Sequence, residues 1–395
     1  MKKYYYIALA ITAVSLGACS KNSPSTIAGV VDTFADAPWA LDESLPVPIQ
    51  FGTNAPFYIE TKAAPITTAN FADAKLKITA VNKESVTETL FADAPATVAD
   101  GFIQFLDGEG ENANPINRYY PQVSKDADRV NYSFIGYQLP AGSGYTSPSF
   151  SLIPSSNDVN VDILWAKSEA EDLTVDDVTY QGFNAQYIRQ ARLNGVLEDK
   201  RPSFTFEHKA ALIHFLVCGE DLGASADETY TFNDGADAIF SVTDLKVAVR
   251  HTDAELNLLT GELTVGEGVS DEFYEYSGFD QSEASVSTTY TADYAVDVQN
   301  ATETEYGTGV FILPGERTQG TDEIQIQFTL VNNETKESQT YGVDAPISLP
   351  IPAGGYVAGT EYFYKITVKS ATQIRIQASL TNYSSGDTFD VITIE

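Results

Sequence analysis

The sequence predicts an all-β protein built from two antiparallel Greek-key β-sandwiches, and three observations carry that expectation. Its apolar complement is weighted to 22 Tyr and 21 Phe against 1 Met, and aromatic and β-branched residues suit a pleated, half-buried surface. Short segments that alternate apolar with polar residues recur along the whole chain, each bounded by Gly, Asn, Asp or Pro. Helical periodicity between them is almost absent, which argues against parallel βαβ units. At about 100–200 residues per domain, 395 residues make two domains of ordinary size.

The N-terminus reads as an export leader. Lys2 and Lys3 precede an apolar stretch from Tyr4 to Ser15, and Leu16-Gly17-Ala18-Cys19 follows at once. This resembles a bacterial lipobox, in which the thiol of Cys19 accepts the lipid and becomes the first mature residue after a leader of residues 1–18. Acyl chains contribute about 0.8 kcal/mol per buried CH₂, enough in combination to hold a chain at a membrane without a spanning helix. Ser20 at the next position, with no Asp there, is similar to lipoproteins sent to the outer membrane. No later apolar run is long enough to span a bilayer. Residues 19–45 read as a tether rich in Ser, Ala, Pro and Asp.

The first sandwich is expected over residues 46–200. Val47-Pro48-Ile49-Gln50-Phe51 opens it, and Pro46 and Pro48 place that segment at an edge or a strand start, because proline cannot donate to a central ladder. Strands follow at Lys75–Val81, Gly101–Phe105, Val130–Tyr137 and Val161–Trp165. One helix is expected from Asn184 to Asn194, with Tyr187, Ile188 and Ala191 on one face and Gly195 as its stop. The second sandwich is expected over residues 201–395. Phe204, Phe206 and His208 alternate, the pattern breaks at Lys209-Ala210-Ala211, which suggests a bulge, and an apolar run from Leu212 to Cys218 follows. Further strands are expected at Val242–Val249, Gly309–Pro314, Ile324–Leu330, Tyr362–Val368 and Ile374–Leu380. A last one, Phe389–Ile394, comes after the turn signal Ser384-Ser385-Gly386-Asp387.

Charge and composition exclude several functions. With 23 Lys+Arg against 55 Asp+Glu the formal charge is −32, which opposes binding to DNA, RNA or anionic membrane surfaces. Two Cys and three His leave no disulfide framework and little for a metal centre. His208 and His214 read as hydrogen-bonded core histidines, and Cys218 as a small buried apolar residue. Asp107-Gly108-Glu109-Gly110-Glu111 lacks the spacing of an EF-hand and reads as a solvated loop. Glu169, Glu171, Asp172, Asp176 and Asp177 would pair as glycosidase carboxylates only through geometry that the sequence does not specify. No catalytic residue, metal or cofactor is assigned, and no enzyme activity is expected.

Five segments, in order, are similar to the fimbrillin family of Bacteroidia-type fimbriae. Asn131-Tyr132-Ser133-Phe134-Ile135-Gly136-Tyr137 occupies the place of its F-x-A-Y-Y strand, and Asp162-Ile163-Leu164-Trp165-Ala166 resembles its D-L-L-W-A element. Phe206-Glu207-His208-Lys209-Ala210-Ala211-Leu212 resembles its F-x-H-x-x-A/L signature. Ile312-Leu313-Pro314-Gly315 resembles L-I-P-x, and Gly355-Tyr356-Val357-Ala358-Gly359-Thr360-Glu361-Tyr362 resembles G-x-F-x-P-G-x-x-Y, with Ala358 where proline is common. The resemblance spans Cys19 to about Leu380.

It implies a lipid-anchored precursor of two transthyretin-like sandwiches, taken to the outer membrane and cell surface and assembled as shaft, anchor or tip of a fimbrium. In that family a protease of trypsin-like specificity removes the N-terminal segment with its first strand, and a strand from the next subunit fills the groove. Lys62, in Thr61-Lys62-Ala63-Ala64-Pro65-Ile66, stands where members carry T-R-A-P-I and is the candidate processing point. No Arg precedes Arg118, so an Arg-only protease would not cut here. A solvated loop residue is the alternative for Lys62, and an uncut chain would keep its lipid. The candidate donor is the last strand, with Phe389, Val391, Ile392 and Ile394. An ordinary last strand of the second sandwich is the alternative. The implied partners are other fimbrial subunits, the outer membrane through Cys19 and a host or bacterial surface ligand. A second function class is a monomeric surface lipoprotein that binds glycans or a host protein through exposed aromatics.

Overall fold

In the computed structural model the described residues are 37–52, 75–99, 102–110, 112–122, 129–140, 162–219, 240–275, 309–332, 335–370, 373–382 and 385–394. Short strands at 25–27, 30–32, 144–146, 149–152, 230–231 and 289–290 are described as well. They form an all-β protein with short helices at Pro38–Leu41, Ala185–Leu193 and Leu197–Lys200. One sheet has seven strands in the order Glu207–His208, Leu164–Ser168, Tyr132–Gln138, Leu76–Asn82, Thr89–Ala99, Phe102–Leu106 and Pro115–Ile116. All seven residues of Tyr132–Gln138 are buried, as befits a strand covered on both faces. The chain divides into two compact units. One lies within residues 1–55, 78–134 and 168–203, the other within 56–77, 135–167 and 204–395.

The core of the first unit is aromatic. The ring of Phe134 lies 5.6 Å from those of Phe51 and Phe183, 6.2 Å from Tyr120 and 6.4 Å from Phe91. The expected helix is present as Ala185–Leu193. Asn184 caps it, its Oδ1 accepting from the Tyr187 N–H at 2.9 Å, and this satisfies a backbone donor that the first turn leaves open. Tyr187, Ile188 and Ala191 are buried with Ala185 and Arg189. The helix ends where Gly195 adopts φ +72°, with Gly195 N–H donating to Arg192 O and Val196 N–H to Ala191 O. This paired closure favours glycine because a left-handed residue is required. Asp176 and Asp177 have φ +48° and +66° and form the two-residue turn between Leu173–Val175 and Val178–Tyr180. That conformation matches the twist of a tight hairpin. Residues 37–45, inside the stretch read as tether, include the helix Pro38–Leu41 with Ala37 and Ala40 buried.

The second unit stacks two sheets. One runs in the order Val310–Ile312, Ala211–Gly219, Thr360–Ser370, Gln373–Asn382, Ser385–Ile394. The other runs Tyr274–Glu275, Phe240–Ala248, Gln325–Asn332, Ser338–Tyr341. Ile213 and Phe215 of the first sheet share a core with Val247, Ile326 and Phe328 of the second. Two findings refine the sequence reading. The break at Lys209-Ala210 is not a bulge: Glu207–His208 pairs with Leu164 and Trp165 in the seven-stranded sheet, whereas Ala211–Gly219 belongs to the five-stranded one. The chain changes sheets there, and a change of sheet interrupts alternation as a bulge does. The pairing of Ala211–Gly219 with Thr360–Ser370 is also parallel, from Leu212 opposite Glu361 to Gly219 opposite Val368.

Buried phenols fix the pH range of this fold. Burial raises the Tyr120, Tyr356 and Tyr364 hydroxyls well above the usual phenol range, and burial with the Glu171 and Asp172 charges pushes Tyr187 up to about 12. Folding therefore favours the neutral phenol. Its contribution is whole below about pH 10, where an unfolded tyrosine ionises, and is lost as pH rises through the folded value. We expect stability to fall above about pH 10. A late tyrosinate absorbance step should coincide with unfolding by circular dichroism, and complete titration of the folded chain near pH 10 would contradict this.

Candidate functional site

The segment Pro46–Gly52 fills a slot in the first unit. Val47 is 0%, Ile49 5% and Phe51 3% exposed, so alternate side chains point inward as in a strand. Its backbone is held at a few points: Ile49 N–H donates to Arg118 O at 2.8 Å, Val47 O accepts from Tyr120 N–H at 3.0 Å, and Gly52 N–H donates to Pro202 O at 2.8 Å. Pro48 bridges antiparallel to Tyr119, which agrees with the edge position that two prolines demand. Phe51 packs 5.6 Å from Phe105 and from Phe134. The Arg118 guanidinium lies 4.8 Å from the Phe91 ring centre and 5.4 Å from Phe105. Burying each of the three side chains contributes about 1.5–3 kcal/mol.

A buried cation anchors the residues just before this segment. Arg189, on the inner face of the helix Ala185–Leu193, donates from Nε to Trp39 O at 2.9 Å. Its Nη2 donates to Glu43 O at 3.2 Å and to Leu45 O at 2.6 Å. Burial lowers its pKa, with the Glu43 and Asp42 charges opposing that effect. Sequence reading missed Arg189. Its signal was a basic residue beside Tyr187 and Ile188 on an apolar helix face, which requires buried acceptors.

The family-like segments come together in contacting pairs in the second unit. Leu164 and Trp165 pair with His208 and Glu207, and Asp162 Oδ2 lies 2.6 Å from His208 Nδ1 with both residues buried. Lys209 N–H donates to Ile163 O, Lys209 Nζ sits 4.9 Å from the Trp165 ring centre, and Trp165 Nε1 donates to Leu258 O at 2.8 Å. The second pair joins Gly315 and Tyr356, whose backbones exchange bonds of 2.7 and 2.9 Å. Gly355 at φ +80° lies so close that a side chain there would strike the Gly315 carbonyl. The Tyr356 and Tyr364 hydroxyls are 2.7 Å apart, and Tyr364 donates to Pro350 O.

The remaining sequence candidates are placed as follows. His214 is buried, stacked 4.9 Å from the Phe363 ring and 3.6 Å from Glu361. The Asp107 carboxylate is exposed and accepts from Asn114, which lowers its pKa. No cluster of three potential metal ligands occurs among the described residues, and no described helix is long and apolar enough to cross a membrane. Cys19 and Lys62 lie outside the described residues, and Cys218 lies in Ala211–Gly219 without a described side chain. Phe389, Val391, Ile392 and Ile394 belong to Ser385–Ile394, which pairs antiparallel with Gln373–Asn382 at the outer end of its sheet.

A family model described as fimbrillin-like matches residues 61–382. The chain belongs to the fimbrillin-like family. Among solved structures this fimbrillin-like chain is similar to a putative cell adhesion protein from Bacteroides uniformis, at 14% identity and TM-score 0.46, covering 86% of this chain and 99% of that one. It is also similar to a fimbrial protein from Bacteroides vulgatus at 13% identity and TM-score 0.38, covering 85% and 99%. A fimbrial assembly protein from Parabacteroides distasonis follows at 9% identity and TM-score 0.34, covering 87% and 98%. No curated protein sequence matches the chain.

Proposed function

We propose that this fimbrillin-like chain is a structural or adhesive subunit of an outer-membrane-associated fimbrium. In this reading it is exported as a lipoprotein on Cys19 and assembles by strand exchange with other subunits at the cell surface. The leader of residues 1–18 and the tether from residue 19 precede two sandwich modules, with the boundary between them in sequence near residue 200. The observation that carries the reading is the extended segment Val47–Phe51, which inserts three alternate side chains into the first unit while making few backbone bonds. Such a segment leaves a shaped apolar slot when removed, and another extended segment can fill it through the same kinds of contact. Lys62 follows it in sequence, so one cut there separates the segment from the remainder. Because the slot and the donor sit on different parts of one subunit, the contact repeats head to tail and does not close.

The test is cleavage of the full chain by a trypsin-like protease, with the new N-terminus read by mass spectrometry. A start at Ala63 and a ladder of resistant oligomers on unboiled gels are expected, while a Lys62→Gln chain keeps a single band. A chain cut at Ala63 that remains monomeric refutes strand exchange.

A further inference from the structure

We propose that His251 is a pH-sensitive clasp at one end of the second unit's sandwich. Carrying a proton, it bridges the Gly266 carbonyl and the Asp322 carboxylate and so ties the loop 266–271 to the turn 318–322. Losing that proton, it lets go of one of them. The inference does not depend on strand exchange.

The loop needs such a tie because of where it runs. Leu263–Val265 belongs to a four-stranded sheet with Ala254–Asn257, Ser149–Leu152 and Gly144–Thr146, whereas Tyr274–Glu275 is the edge of the sheet that contains Phe240–Ala248. Residues 266–271 lie between them, without a ladder to satisfy their backbone groups. Gly266 N–H donates to Asp253 O at 2.9 Å and Ser270 N–H to Arg250 O at 2.7 Å. Side chains from one dipeptide, Arg250-His251, then join this loop to the turn. Arg250, at φ +72°, donates from Nη1 to Ser270 O at 3.2 Å and from Nη2 to Thr321 O at 2.9 Å. A left-handed residue other than glycine persists only where its surroundings hold it. His251 Nδ1 lies 3.1 Å from Gly266 O, and Nε2 lies 2.9 Å from Asp322 Oδ2. The other Asp322 oxygen accepts from Thr318 N–H, which orients the carboxylate. The His251 and Asp322 side chains are 11% and 13% exposed, shielded yet within reach of a proton from solvent.

Counting donors gives the switch. A carbonyl and an ionised carboxylate only accept, and a neutral imidazole has a single N–H. Both contacts are therefore hydrogen bonds only when the His251–Asp322 pair holds one proton more than a neutral ring beside a carboxylate. Without it a lone pair faces an oxygen at one end, and that contact opens. Arg250 keeps its charge throughout, so it remains as the link that does not respond to pH. The surrounding charge favours the extra proton. The Asp253 carboxylate lies against Gly266 and Gly268, Asp271 pairs with Arg250, and Glu267 and Glu316 are exposed on the loop and beside the turn. Glu272 accepts from Tyr274 and Glu323 from Ser348. Against these acids stand Arg250 and Arg317; burial lowers the Arg317 pKa, and Tyr356 and Asp322 oppose that. An excess of negative charge stabilises an imidazolium. The clasped form thus binds more protons than the released one, so it is complete in acid and weakens as pH rises through the histidine range.

The test uses the full chain with its three histidines isotopically labelled and followed by NMR across pH, the His251 signal being identified by its loss in His251→Gln. The His251 ring should titrate at a higher pH than the same ring in Asp322→Asn. Hydrogen exchange read by mass spectrometry over residues 262–272, corrected for the intrinsic effect of pH, supplies a readout that needs no Asp322 variant. Protection there should fall about tenfold between roughly pH 5.5 and 8.5, and the fall should vanish in His251→Gln. Equal titration of the ring in both chains overturns the clasp, as does protection that is flat with pH or that falls alike in His251→Gln.

Discussion

Phe134→Ala is expected to destabilise the chain by about 3–5 kcal/mol, the range for truncating a large buried ring whose site cannot collapse. Phe134 is fully buried in a strand buried on both faces. Its ring contacts Phe51, Phe91, Tyr120 and Phe183, so its removal opens a void bordered by four aromatic groups. Phe51, Phe91 and Phe183 are themselves packed against other rings, which limits how far they can close in. Urea unfolding followed by circular dichroism measures the loss. A change below about 1 kcal/mol would mean that the cluster is not the core of this unit. Because Phe51 and Phe134 touch, the variant should also loosen the hold on Val47–Phe51 and make a cut at Lys62 easier.

Arg189→Leu is expected to cost the intact chain about 2–4 kcal/mol. The substitution leaves the carbonyls of Trp39, Glu43 and Leu45 without their donor, and hydrogen bonds to a charged group contribute about 1.5–3 kcal/mol each. Relief from burying a cation offsets part of the sum. In the chain cut after Lys62 those carbonyls are gone, so the same variant should cost much less or even stabilise the monomer. Paired unfolding curves before and after cleavage measure the difference. An equal cost in both forms would show that Arg189 supports the helix rather than the N-terminal segment.

What could be read from sequence was local. The helix at Ala185–Leu193 was legible because Asn184, the spacing of Tyr187, Ile188 and Ala191, and Gly195 each act within a turn or two of chain. Alternation likewise placed Val47, Ile49 and Phe51 inward, although the expected strand there is reduced to an isolated bridge of Pro48 to Tyr119. Partner choice was not legible. Nothing near Arg189 indicates that its acceptors lie about 150 residues earlier, and nothing in Leu212–Cys218 specifies a parallel neighbour at Thr360–Ser370. The change of sheet at Lys209-Ala210 imitated a bulge because both disturb the same period. The Asp162–His208 pair shows how far motif reading reaches: both segments were identified separately, and only the fold reveals that each completes the other.

The parallel pairing of Ala211–Gly219 has a consequence for how the chain is made. Leu212 meets Glu361 across the sheet, so roughly 150 further residues must be synthesised before this central strand finds its neighbour, about 10–30 s at common elongation rates. Contacts so distant in sequence also form slowly once available. Until Val310–Ile312 and then Thr360–Ser370 are made, both edges of this apolar ribbon lack their partners, and the order of synthesis itself defines the period in which a wrong partner can intrude.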